Sequence, residues 1–225
     1  MINMTNKTTP NKMNPIVFCN IGWHSKYNGQ DGELLLNGGA YVEEHGTGNE
    51  IMNYLPLFVT DEETGEEKPM LLGSYETKCT RGKVNQTHIE KIHGCELLKK
   101  EGYADGVTVV WCAKSPKGKT CVVGWYKNAT VCRYYDDVEI ETENKGFEVR
   151  VYNVYGAYED AVLLPEEERY NPKWHIPRSK ENPLSFGFGQ ANIWYASEPN
   201  AKEFVKQMIQ NIDTYNGEDA KTKAI

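Results

Sequence analysis

Apolar and β-branched residues fall in short runs divided by turn residues, and a single stretch repeats at helical spacing. Ile16-Val-Phe-Cys-Asn-Ile-Gly-Trp23 follows a proline and predicts a first strand. Asn53–Val59 and Met70–Tyr75 predict a hairpin with an acidic, solvated tip, Asp61–Lys68. The strongest strands are Val107–Ala113 and Thr120–Tyr126, joined by the Pro/Gly turn Lys114-Ser-Pro-Lys-Gly-Lys119. Ala129–Tyr135 and Phe147–Tyr155 add two more, with an acidic connection over Asp136–Glu143. His88–Lys100 predicts a short helix interrupted by Gly94. Ala201–Tyr215 places Phe204, Val205, Met208, Ile209 and Ile212 on one helical face, started by Glu198-Pro-Asn200.

Mostly strands closed by a helix predicts an α+β fold, mainly β: a barrel with flanking helices and a C-terminal helix. Residues 1–15 are expected to form a flexible leader, 16–216 one domain, and 217–225 a flexible tail. Three turn clusters between Tyr27 and Gly48 predict a long shaped loop of the kind that often carries function.

With 225 residues, 39% hydrophobic and 25% charged, the chain has material for a core and is not a disordered polymer. Its net charge of -7 excludes a uniformly basic nucleic-acid coat, though not a local basic face. The longest apolar runs fall far short of the ~18 residues of a membrane span, and the polar start lacks a signal-peptide core. The cysteines show no CxxC or zinc spacing. Cys19, Cys112, Cys121 and Cys132 sit in strand-like runs as small hydrophobes. A reduced, cytoplasmic protein without membrane, metal or cofactor is the plain expectation.

Between Gly106 and Tyr135 there are five basic residues, Lys114, Lys117, Lys119, Lys127 and Arg133, and no acidic ones. Trp111, Trp125 and Tyr126 lie among them. Cations for phosphates and flat rings for bases suit a nucleic acid. The plainer alternative puts Trp111 and Trp125 in the core and leaves the lysines solvated. Adjacent Trp125 and Tyr126 must face opposite sides of a strand, so one of them leaves the barrel interior. Glycines beside Gln190, Asn192 and Trp194 offer close backbone approach and amides to read a ligand edge, or merely a tight corner. His45 with Glu43, Glu44 and Glu50 offers a general base or metal ligands, or a glycine-rich turn. Asp136, Asp137, Glu139, Glu141 and Lys145 faintly fit a nuclease metal site, and more simply an acidic turn. GxSxG, HExxH and P-loop motifs are absent from the sequence.

Ile16–Trp23, the Gly38–Gly46 stretch, Val122–Val131 and Gly189–Tyr195 are together similar to a bacterial domain family found fused to HNH nucleases and other restriction or anti-phage proteins. The layout of Thr108–Tyr126 also resembles the central hairpin of PUA-like domains, including EVE and YTH modules, which hold a modified or flipped base in an aromatic cage. These resemblances imply a non-catalytic specificity module, expected to bind DNA, without an HNH motif of its own and served by a separate nuclease subunit. Phosphates would be taken by Lys114, Lys117, Lys119, Lys127 and Arg133. A base would be stacked by Trp23, Trp111, Trp125, Tyr126 or Trp194 and read by Asn128, Gln190 or Asn192. The alternative is a metal-dependent nuclease or nucleotide hydrolase using His45, Glu50 and Arg178.

Overall fold

The computed structural model describes residues 14–29, 34–38, 48–60, 65–77, 79–80, 83–141 and 146–221. The β-branched runs become strands β1 (Ile16–Ile21), β2 (Pro56–Thr60) and β3 (Glu67–Gly73). A two-stranded pair follows, β4 (Cys79–Thr80) with β5 (Lys83–Val84), then β6 (Tyr103–Lys114), β7 (Thr120–Glu141) and β8 (Phe147–Ala157). The chain continues with β9 (Ala161–Leu163), a four-residue helix α1 (Glu166–Arg169), β10 (Ile193–Trp194) and the C-terminal helix α2 (Lys202–Asp213). The fold is mixed α+β and mainly β.

The main sheet runs β10-β1-β6-β7-β8-β3-β2, with β9 added to β7. β1 lies parallel to β6, setting Cys19 beside Trp111 and Ile21 beside Ala113, whereas β6 and β7 form the predicted antiparallel hairpin. The expected closed barrel is not formed: β10 and β2 end the sheet, and no ladder joins them among the described residues.

The sheet curls instead, and β7 is where it bends. Its first half pairs with β6 and β9, and its second half with β8, across register shifts. Asn128 sits in this strand at φ 51°, a left-handed backbone that asparagine tolerates better than most residues. Gly124 is a second necessity, because a Cβ there would fall 2.3 Å from the Val162 carbonyl oxygen on β9. Its absence lets the Tyr54 hydroxyl donate to that same oxygen at 2.9 Å.

Both faces of the β1–β6–β7 region are covered. Val109, Trp111, Ala113, Tyr126 and Leu71 pack on one side. Val110, Cys112, Trp125, Trp174 and Trp194 pack on the other, under Val205, Met208 and Ile212 of α2. A strand buried on two faces reads as a continuous apolar run, which is how Val107–Ala113 appears in the sequence.

Three expectations are corrected. His88–Lys100 forms a 3-10 turn at Ile89–Lys91 followed by further turns, with Gly94 at φ 88°, so the predicted helix is absent. The acidic connection after Tyr135 is strand as far as Glu141, paired residue by residue with β8. The tail is docked through Lys221: Ala220 N–H donates to the Leu163 carbonyl at 2.8 Å, and Leu163 N–H donates to Asp219 Oδ1 at 3.1 Å. Lys221 Nζ reaches the carbonyls of Tyr158 and Ala161.

Candidate functional site

The five tryptophans, Trp23, Trp111, Trp125, Trp174 and Trp194, are all buried. Trp111 stands edge-on to Tyr126 at 5.2 Å, and Trp125 packs on Trp174 at 5.4 Å and Tyr215 at 5.4 Å. Trp194 lies between Phe18 and Phe186, its Nε1 donating to the Glu198 carboxylate at 3.0 Å. Tyr126 donates its hydroxyl to the Asn53 carbonyl. Trp23 faces the Arg169 guanidinium at 5.2 Å. Arg169 is itself buried, its donors spent on the carbonyls of Leu164, His24 and Ser25. Trp125 and Tyr126 do face opposite sides, but the second side is a second core. None of Trp23, Trp111, Trp125, Tyr126 and Trp194 offers a face to a base, and the expected cage is corrected accordingly.

The expected phosphate ligands divide in the same way. Arg133 is internal, donating from Nε to the Glu101 carbonyl, from Nη2 to the Leu98 carbonyl and from Nη1 to Glu90 Oε2, each at 2.8 Å. That ion pair draws the Glu90 carboxyl down to about 2. Lys127 is engaged by Asp213 at 2.7 Å. Lys117 lies over the Tyr170 ring at 3.7 Å. Asn128 serves the bend in β7, its Nδ2 donating to Asp160 at 3.1 Å. Gln190 is exposed. Gly187 packs on its own chain, since a Cβ there would fall 2.1 Å from the Pro177 carbonyl oxygen. The tight corner therefore explains that glycine.

Lys114 and Lys119 remain, at the two ends of the β6–β7 turn. They open onto a cleft of about 710 Å³ lined also by Thr120, His175, Arg178 and Asn182. Among the described residues lining it, Glu181 is the one carboxylate. Arg178, which the sequence suggested only for an enzyme, is positioned by neutral acceptors: Thr120 Oγ1 at 3.2 Å and Asn20 Oδ1 at 3.4 Å. Lys114, Lys119 and Arg178 have no carboxylate partner among the described residues. In a chain of net charge -7, this cleft gathers three cations against the single carboxylate of Glu181.

Two further clefts flank the sheet. One, of about 690 Å³, is lined by Glu76, Gln86, Lys91, Tyr134, Asn192 and Tyr195, among others. Asn20 connects it to the basic cleft, since its N–H donates to the Asn192 carbonyl at 2.7 Å while its side chain accepts from Arg178. The other, of about 750 Å³, is lined by Glu50, Glu76, Tyr135 and Glu148. Glu50 is buried there, and burial holds its carboxyl above the ordinary value against the pull of the N–H groups of Glu50 and Gly22. Glu43, Glu44, His45 and Lys145 lie outside the described residues.

Among the described residues, no group of three or more His, Cys, Asp or Glu side chains is placed to hold a metal. Burial pushes the thiols of Cys19 and Cys112 far up, leaving them as packing groups rather than nucleophiles. No described helix is long and apolar enough to cross a membrane.

No family model matches the chain, and it has no detectable match among characterised proteins or solved structures.

Proposed function

We propose that this chain is a non-catalytic nucleic-acid-binding specificity module, with DNA as its ligand, acting in restriction or phage defence beside a separate nuclease subunit. The observation that carries the proposal is the convergence of Lys114, Lys119 and Arg178 on one cleft with Glu181 as the opposing charge. Phosphate oxygens are the chemistry such a cluster complements: two mobile ammonium groups and a guanidinium fixed by Thr120 and Asn20. Lys117 lies on the same turn, over the Tyr170 ring. Recognition of a modified base belongs to the same proposal. It is supported by the resemblance of the strand motifs to restriction-linked domains and of the β6–β7 hairpin to PUA-like readers. The buried tryptophans leave base contact to other side chains.

The test is the salt dependence of binding for the wild type and for Lys114→Gln/Lys119→Gln, read by fluorescence anisotropy with EDTA present. Loss of two phosphate contacts lowers the slope of log K against log salt by roughly 1.4–1.8. An unchanged slope removes the cleft from the proposal, and no binding at low salt removes the function.

A second reading, a metal-dependent nuclease or nucleotide hydrolase, is favoured by the Glu50 cavity, where a buried carboxyl with a raised pKa meets Glu76. It predicts hydrolysis that EDTA abolishes and that Glu50→Gln removes. Arg178, offered to that chemistry by the sequence, lines the basic cleft instead.

A further inference from the structure

Side-chain alternation along β7 sends Tyr135 inward and Tyr134 outward. Tyr135 donates its hydroxyl to the Tyr75 carbonyl at 2.8 Å and accepts from Thr77 N–H at 2.8 Å. Tyr134 is left 59% exposed on the rim of the 690 Å³ cleft, a free ring in a molecule that buries all its tryptophans. The walls of that cleft are fixed. The Tyr195 hydroxyl accepts from His88 N–H at 2.8 Å, and Asn153 grips the backbone of Tyr75 through both Oδ1 (3.2 Å) and Nδ2 (3.0 Å). Behind the lining, Arg133 is paired with Glu90 and donates to the side chain of Gln86.

Two amides in this cleft are each half engaged. Gln86 Oε1 accepts from Arg133 Nη1 at 3.3 Å and from the Tyr134 hydroxyl at 3.4 Å, while its NH₂ group has no partner among the described residues. Asn192 donates from Nδ2 to the Glu76 carbonyl at 3.2 Å and carboxylate at 3.5 Å, while its Oδ1 has none. A free donor and a free acceptor beside an exposed ring complement a planar ligand whose edge carries an acceptor and a donor. The Glu76 carboxylate adds an acceptor for an exocyclic amino group. Lys91 Nζ, 5.9 Å from the Tyr195 centroid and without a carboxylate partner among the described residues, supplies a cation for an attached phosphate.

We infer that this cleft is a nucleobase subsite that receives one unpaired nucleotide: its ring on Tyr134, its edge on Gln86 and Asn192, its phosphate toward Lys91. The base must be unpaired, because both the ring face and the edge are engaged together. The inference rests on the nucleic-acid proposal above and moves base contact from the tryptophans to this cleft.

The test uses the full chain and two fluorescein-labelled single-stranded DNA 12-mers of equal charge. One carries bases, and the other carries tetrahydrofuran abasic residues throughout. The wild type is expected to bind the base-bearing strand at least tenfold more tightly. Tyr134→Ala brings it to the abasic level with an unchanged salt slope, and Tyr134→Phe keeps the preference. Tyr134 is exposed, so the fold survives both changes, as circular dichroism verifies. Equal, salt-dependent binding of the two strands by the wild type overturns the subsite and leaves the phosphate cleft standing. So does a base preference that Tyr134→Ala leaves intact. Binding of neither strand at low salt overturns the nucleic-acid proposal and the subsite with it.

Discussion

Replacing Arg133 with methionine keeps the aliphatic stem and removes the guanidinium. The side chain is 8% exposed, and its partner Glu90 is 18% exposed. Removal strips Glu90 of its cation, leaving His88 Nδ1 at 2.9 Å, frees the Glu101 carbonyl and leaves the Leu98 carbonyl with the Glu101 N–H at 3.2 Å. Breaking a buried ion pair costs about 3–5 kcal/mol. Both carbonyls belong to residues that are not buried, so they regain water, which holds the expected loss near the lower end, about 3 kcal/mol. In urea, with a slope of about 2.5 kcal/mol/M, the unfolding midpoint falls by about 1 M.

The pH dependence has a definite sign. The carboxyl of Glu90 lies at about 2 in the folded chain against an ordinary 4.5, so the pair stabilises the fold above about pH 4.5. That contribution is lost as pH falls toward 2. The gap between wild type and Arg133→Met therefore narrows across that window. The variant is expected to retain the salt slope of nucleic-acid binding while folded. A midpoint shift below about 0.3 M together with a lost phosphate contact would refute the internal role and return Arg133 to the surface.

Trp125→Ala opens a cavity against Trp174 and Tyr215 and is expected to cost about 3–5 kcal/mol in thermal or urea unfolding, with affinity preserved below the transition. Weakened binding by a fully folded Trp125→Ala variant would restore its stacking role. Glu50→Gln replaces a carboxyl whose pKa burial has raised, so the wild type binds a proton more readily folded than unfolded and loses stability as pH rises above about 4.5. The glutamine variant is therefore expected to be the more stable chain at pH 7 and to show no such gain at pH 3.5. Equal pH dependence of the two chains would refute the effect of burial on Glu50.

Much of the fold was legible as pattern. The β-branched runs of β1 and β6 fall within a few residues of their predicted bounds, the predicted strands Thr120–Tyr126 and Ala129–Tyr135 merge into the single long β7, and Phe204–Ile212 forms the amphipathic helix its spacing demands. His88–Lys100 misled because several helix formers stand together. Gly94 and the pull of Arg133 on the Leu98 and Glu101 carbonyls hold that segment in turns. The site was less legible. Lys114 and Lys119 stand out in the sequence by charge and Asn192 by its glycine-rich neighbourhood, whereas their placement on two separate clefts does not. Tyr134, Gln86 and Lys91 come from separate parts of the chain, and no local signal joins them.

Residue order by itself determined where the main strands begin, the C-terminal helix, the thiols packed as hydrophobes and the opposition of Trp125 to Tyr126. These follow from local sterics and from a side-chain period of two or 3.6. Tertiary structure alone decided that both faces of the central strands are buried, that β7 bends at Asn128 rather than closing a barrel, and that Arg133 is a core residue while Lys114 and Lys119 face a cleft. A cation's role is set by the distance to acceptors such as Glu90, Leu98 and Glu101, 32 to 43 positions away from Arg133 in the chain. A ring's role is set by what covers it, and for Trp125 the cover comes from Trp174 and Tyr215 on other elements.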